Sequence, residues 1–206
     1  MNKRKFIFCI WLAAGVCLAG EKPLVDISFE KADEPYQKSP EGMSITRGDA
    51  DSHVAEIEAG GWLSCGLPAA VTSGVYEISW DILPVVAEAY PLDQFAVDIQ
   101  SDPARFGGSL ISVMFRAFPN GDHKTVVSDY SGTQLGGTSY DMGKCQRYTA
   151  TIDLDKRTTD VKCDGVVIAK QEAIADGRDL QGVKFTSLPY GKAVFQADNI
   201  QWEKRE

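Results

Sequence analysis

The sequence predicts an all-β fold, an antiparallel sandwich of two sheets with at most one short helix, and three observations carry that prediction. Apolar residues recur with a period of two in short runs. Gly, Pro, Asn and Asp bound those runs, so that about a dozen of them are separated by turn signals. The helical period of 3.6 is hard to find beyond the first twenty or so residues. Many short strands with no linker and no internal repeat belong to one sandwich rather than to two domains.

In chain order, strands are expected near 24–29, 54–58, 61–66, 74–83, 94–100, 108–117, 124–129, 146–154, 159–163, 166–169, 182–187 and 192–203. The clearest is "GVYEISWDILP", where Tyr76, Ile78, Trp80 and Ile82 line one face and Glu77, Ser79 and Asp81 the other. In "QFAVDIQ", Phe95, Val97 and Ile99 point inward. "GSLISVMFRAF" is a long strand, apolar on both faces near its centre. "YTATIDLDKRTTDVKCDGVVIA" reads as two strands around a polar turn. Pairing Ile152 with Val161 and Ala150 with Cys163 leaves Asp155 to Thr158 as the connection, a common hairpin length. Asp164-Gly165 suits a second tight turn with positive φ. A helical turn or two is expected at "EAIADGRDL". The last strand, "AVFQADNIQWE", changes face: Phe195 and Ala197 share one side, Ile200 and Trp202 the other, and Asp198-Asn199 lie between, as a β-bulge or a strand crossing between sheets would require.

Residues 1–19 read as a secretory signal peptide. Lys3, Arg4 and Lys5 form a basic start, Phe6 to Val16 an apolar run, and Cys17-Leu18-Ala19 a small-x-small cleavage pattern. Cleavage after Ala19 leaves 20–206 as a single β-sandwich domain of a secreted or periplasmic protein. The apolar run is shorter than the ~20 residues a spanning helix needs, and no other segment approaches that length. Val16 stands where a lipid-modified Cys17 would want Gly, Ala or Ser, which argues against lipoprotein anchoring. The formal charge of -8 becomes -11 once the three basic leader residues are gone. Such a chain has no electrostatic attraction to nucleic acid or anionic lipid; neutral or cationic partners and metal ions stay open.

Cys9 and Cys17 leave with the leader, so Cys65, Cys145 and Cys163 remain in an oxidising compartment. Three is odd, so at least one thiol is unpaired or paired between chains. None of these spacings is that of a zinc site, and a small buried hydrophobe is the simplest role for at least one. In the hairpin register above, Cys163 faces the core and Cys145 points away, which disfavours a bond between them.

The order of "LVDISFEKADE", "GVYEISWDI", the hairpin "TIDLDKRTTDVKCDG" and the closing "FQADNIQWE" resembles secreted β-jelly-roll domains of the carbohydrate-binding-module and concanavalin A-like (laminin-G-type) classes. The resemblance covers most of the chain after the leader and implies that first and last strands pair. It is a resemblance of fold, and folds host many functions. In calcium-containing modules of this kind, the Glu of an opening Phe-Glu and the Asp of a closing Asp-Asn meet across the sheet. The matching residues are Phe29-Glu30 and Asp198-Asn199, so the resemblance implies a structural Ca2+ on Glu30 and Asp198, completed by backbone carbonyls after Glu30. The competing reading of both carboxylates is solvation or pairing with Lys or Arg.

An enzyme of this fold needs an acid and a base. The Glu-x-Asp-x-Glu run of concanavalin A-like glycosidases is absent, and Glu77 with Asp81, or Asp153 with Asp155, read as a solvent face and a hairpin end. A jelly-roll polysaccharide lyase would use Tyr and His with an Arg against a uronate, and the candidates are His123, Arg116 and Tyr130. The composition of "PNGDHK" is nevertheless that of a turn. His53 lies between acidic residues in "GDADSHVAEI", a loop entering a strand. No Gly-x-Ser-x-Gly elbow supports a triad, and Gly107-Gly108 and Gly136-Gly137 lack the context of phosphate loops.

Glycan binding needs an aromatic face for the apolar side of a sugar ring, with amides or charged groups beside it for the hydroxyls. Trp62, Tyr90, Tyr130 and Tyr140 are the leading candidates, with Phe106, Phe118 and Tyr190 also near turns or strand ends, whereas Trp80 and Trp202 alternate with core residues. The reading is a secreted, non-catalytic β-sandwich that binds a polysaccharide or other glycan. A jelly-roll lyase or glycoside hydrolase is the alternative, and a structural or adhesion module a third.

Overall fold

A computed structural model describes the chain except for residues 1–22, 32–33, 49–51, 89–91, 102–108, 172–173, 175–177, 191 and 206. The leader lies outside the described residues. Strands numbered in chain order form two antiparallel sheets. The first runs β13 (Val166–Gln171), β12 (Thr158–Cys163), β11 (Gln146–Asp153), β6 (Val75–Val86), β15 (Val194–Arg205), β4 (His53–Glu58), β3 (Met43–Arg47), with β1 (Val25–Ile27) also paired to β15. The second runs β10 (Gln134–Ser139), β9 (His123–Asp129), β8 (Ser109–Ala117), β7 (Asp93–Gln100), β14 (Leu180–Ser187), β5 (Trp62–Val71), β2 (Tyr36–Lys38). The predicted two-sheet sandwich is the observed fold, and its first and last strands are adjacent, Val25 opposite Trp202 and Ile27 opposite Ile200.

Alternation places the core where the sequence puts it. Tyr76, Ile78, Trp80 and Ile82 of β6 and Phe95, Val97 and Ile99 of β7 are buried between the sheets. Phe95 stacks on Phe195 of the opposite sheet at 4.5 Å between ring centroids, and Trp80 on Tyr148 at 6.0 Å. Each such side chain contributes roughly 1.5–3 kcal/mol through burial.

The face change in β15 is a β-bulge. Register passes from Asp198 opposite Asp81 to Gln201 opposite Ser79, so Asn199 and Ile200 together stand against Trp80. Asn199 takes φ 50°, a left-handed conformation that Asn tolerates better than most residues. The extra residue restores phase, and Phe195, Ala197, Ile200 and Trp202 all reach the same core. The bulge also marks a change of neighbour: the flank of β15 paired with β4 over Val194–Ala197 is paired with β1 over Ile200–Trp202.

The β11–β12 hairpin differs from expectation by a shift of register. Ala150 faces Val161 and Tyr148 faces Cys163, and the turn closes between Asp153 and Thr158. The cause is local. The Asp153 carboxylate accepts the Lys156 N–H at 2.8 Å, and the Leu154 N–H is taken by the Gly74 carbonyl at 3.0 Å, so the turn opens at Leu154. A shift of two in pairing preserves facing, and Cys163 remains on the core side. Cys65 and Cys163 are buried thiols, and Cys145 is half-buried. Strands β2, β3 and β10 were not expected, and the expected helical turn at 172–180 lies largely outside the described residues, among which there is no helix.

Candidate functional site

The face of the second sheet turned away from the core carries the arrangement most suited to a ligand. Continuous register sets Gln37, Ser64, Lys184, Asp98, Ser112 and Ser128 side by side across β2, β5, β14, β7, β8 and β9. Two residues along each strand, Trp62, Thr186, Ala96, Met114 and Val126 form a second row on the same face. One row is polar and the next is largely apolar. Gln94 falls at the register shift between Asp93 and Phe95 and is fully buried, its Oε1 accepting the Glu88 N–H at 3.1 Å.

Asp98 is the centre of the polar row. It sits on the middle strand of the sheet, and burial pushes its carboxyl above the usual carboxylate range, while hydrogen bonds from Ser112 and Ser109 and the nearby Lys184 ammonium act the other way. The Ser109 hydroxyl donates to Asp98 Oδ1 at 3.2 Å. Lys184 also lies over the Trp62 ring, 5.1 Å from its centroid, which fixes both side chains as neighbours. The expectation for Trp62 thus acquires a setting, a half-buried ring at the edge of a polar row.

The other aromatic candidates separate. Tyr140 is 3% exposed, packed edge-on against Phe115 at 5.3 Å and against the His123 ring at 5.2 Å; it is a core residue and offers no face to a sugar. Tyr130 is 45% exposed in the turn after β9 and is capped by the Arg178 guanidinium at 4.6 Å. Tyr190 is 70% exposed. Tyr90 and Phe106 lie outside the described residues.

His123, Arg116 and Tyr130 are not brought together. Arg116 is on the outward face, its Nε donating to Asp93 Oδ1 at 2.6 Å. His123 is turned to the opposite side of its strand, against Tyr140. Tyr130 follows the far end of the seven-residue strand β9, seven residues on from His123 and about 24 Å away along the strand at ~3.4 Å per residue. Closeness in sequence suggested a trio that the hairpin pulls apart.

A second constellation lies where β15 changes neighbour. Glu30, just after β1, accepts the His53 N–H at 2.6 Å and lies 3.0 Å from His53 Nδ1 at the start of β4. Those bonds hold its carboxyl below the usual range. Phe29, buried and at φ 62°, turns the chain so that Glu30 reaches this place. Asp198 stands in the same gap. Burial raises its pKa to about 7; the Asn199 N–H, bonded at 2.7 Å, opposes this, repulsion from Asp81 and Glu30 adds to it, and Arg147 offsets part. Arg147 braces the bulge through the Asp81 carboxylate, the Asn199 carbonyl, the Ser79 hydroxyl and Gln201 Oε1. Glu30 and Asp198 therefore do share one locality. Among the described residues, no group of three or more His, Cys, Asp or Glu side chains is arranged to hold a metal ion, so a cation here would depend on backbone oxygens as well.

Sheet order, register and the pairing of first with last strand define an antiparallel two-sheet β-sandwich, a fold that solved lectin-like domains also have. Among solved structures, the chain is similar to the carbohydrate recognition domain of Emp47p, with a TM-score of 0.66 and 11% identity over 93% of this chain and 100% of that one. It is also similar to a carbohydrate esterase, vb_24B_21 of the Shiga toxin-encoding bacteriophage phi24B, with a TM-score of 0.65 and 10% identity over 90% and 99% of the two chains. The exoplasmic/lumenal domain of VIP36 in its Ca2+/Man-bound form has a TM-score of 0.55 at 10% identity, covering 84% of each chain. No family model and no curated protein sequence matches the chain.

Proposed function

We propose that this chain is an exported, non-catalytic carbohydrate-binding β-sandwich, with residues 1–19 as its signal peptide, 20–206 as one domain, and the outward face of the second sheet as its ligand surface. The observation that carries the reading is the pairing of a polar row centred on Asp98 with an apolar row that begins at Trp62. A pyranose ring needs both: hydrogen-bonding groups for its hydroxyls and an apolar surface for its C–H face. The lectin-like folds of Emp47p and VIP36 support the reading, although a phage esterase shares the architecture. No helix among the described residues is long and apolar enough to cross a membrane. The test is retention on a panel of immobilised glycans together with assay of the eluates for new reducing ends and unsaturated uronates. Retention without product is expected, reduced at least about tenfold in Trp62→Ala, a loss of roughly 1.4 kcal/mol. Product formation abolished in His123→Ala would overturn the non-catalytic reading.

A structural calcium ion joining Glu30 to Asp198 is the companion proposal. Its support is that Glu30 and Asp198 share one locality, where a cation would relieve the repulsion that Asp81 and Glu30 exert on the Asp198 carboxylate. Chelator is expected to lower the melting temperature of the wild type and to leave that of Asp198→Ala unchanged; equal wild-type melts with and without chelator would remove the ion.

A further inference from the structure

We propose that Met114 is a reversible oxidation site, whose thioether takes an oxygen atom from hydrogen peroxide and whose sulfoxide is then held by the Arg116 guanidinium. Two neighbours on one strand make the site. Met114 and Arg116 are two residues apart in β8, so both project from the outward face of the second sheet, Met114 between Ala96 of β7 and Val126 of β9. Arg116 Nε donates to Asp93 Oδ1 at 2.6 Å, which orients the guanidinium, and its Nη2 lies 3.8 Å from Met114 Sδ. A thioether sulfur is a weak acceptor, so this contact contributes little while Met114 is reduced.

Oxidation changes what Arg116 meets. A sulfur lone pair attacks one peroxide oxygen, and the S–O bond forms as the O–O bond breaks. The departing hydroxide takes the proton from the oxygen now on sulfur and leaves as water, so the sulfur is oxidised by two electrons and the peroxide reduced by two. The new oxygen is a strong acceptor beside a donor that stays charged, and a weak N–H···S contact gives way to a charge-assisted hydrogen bond. Access distinguishes Met114 from the other methionines after residue 22. It is half-buried on a sheet face, Met43 is 7% exposed within the core, and Met142, half-buried as well, packs against the core.

The effect on a ligand rests on the carbohydrate-binding reading, whereas the oxidation itself does not. Met114 belongs to the apolar row, two residues along β8 from Ser112, which stands opposite Asp98 in the polar row. Its sulfoxide turns a flexible apolar side chain into a polar, chiral one at a place where the C–H face of a sugar ring would rest. An exported chain meets peroxide outside the reducing pool of the cytosol. Oxidant therefore lowers retention on glycan, and a methionine sulfoxide reductase restores it.

The experiment treats the native protein with dilute hydrogen peroxide and follows each methionine by peptide mass spectrometry, with thermal melts and retention on the immobilised glycans before and after. Met114 is expected to oxidise at least about tenfold faster than Met43 in the native protein, and at the same rate in denaturant. Equal rates in the native protein would overturn the site. Oxidation is expected to lower the melting temperature of Arg116→Ala by more than that of the wild type, because the variant lacks a donor for the new oxygen, and Arg116→Lys should recover part of the difference. Oxidation at Met142 and at the cysteines is common to these proteins and cancels. Equal shifts in the wild type and Arg116→Ala would overturn the role of Arg116. Met114→Leu, a swap of similar volume, is expected to keep its retention through the treatment while the wild type loses at least about threefold. Equal losses in the two would overturn the effect on the ligand. No retention of the untreated wild type on any glycan would overturn the carbohydrate-binding reading and the ligand effect with it, while the mass spectra and melts still decide the oxidation site.

Discussion

At Asp98 the requirements of stability and of binding diverge, because a carboxylate useful to a hydroxyl-rich ligand sits on the central strand of its sheet. Its folded pKa is raised above that of the unfolded chain. Folding therefore favours the protonated form: this contribution is fully present below the ordinary carboxylate value of about 3.9 and is lost as pH rises through the folded pKa. Asp98→Asn, which keeps shape and removes the charge, is expected to melt with the wild type near pH 4 and above it at pH 7, while binding glycan more weakly. Thermal melts from pH 4 to 8 check the first expectation, and a wild type that melts higher than the variant at pH 7 contradicts it. The parity of "QFAVDIQ" already placed Asp98 away from the core, and one charge in an apolar run was the available signal. What alternation withholds is the company Asp98 keeps: Ser112 and Ser128 come from the next two strands, Ser64 and Lys184 from strands farther off in sequence, and only register aligns them.

Among the elements, the strands with long alternating runs were legible and the short or glycine-bearing ones were not. Three residues, Tyr36–Lys38, give too little pattern to read. In "QLGGTS" of β10 the glycine pair reads as a breaker, yet it is there for proximity. A Cβ on Gly136 would come within 2.0 Å of the Ile168 carbonyl oxygen of β13, where the edges of the two sheets meet. Backbone cannot withdraw as a flexible side chain can, so Gly136→Ala is expected to cost about 3 kcal/mol, at the upper end of overpacking, in urea denaturation. A loss under about 0.5 kcal/mol, the ordinary range of surface substitutions, would mean the edges part without penalty. The β15 bulge was legible because its apolar residues change parity at an Asx pair. Its cause, the replacement of β4 by β1 along one flank, belongs to topology and has no local signature.

For the whole molecule, the proposed export and the three cysteines outside residues 1–19 meet in one measurement. Cys65 and Cys163 are buried, and burial pushes both thiols up, Cys163 to about 11, so neither presents a reactive thiolate at neutral pH. A thiol reagent applied to the native protein should therefore reach Cys145 fastest. In denaturant the count should be three if Cys9 and Cys17 have left with residues 1–19, and five if they have not. β15 follows all the other described strands in sequence, yet it lies inside the first sheet, flanked by β6 on one side and by β4 and β1 on the other. Until residues 194–205 are made, β6 lacks one of its neighbours and β1 has no partner in its sheet, so the long-range pairings that close this sheet come late in folding. A chain of this topology holds its first sheet open along one seam, and a single strand closes it.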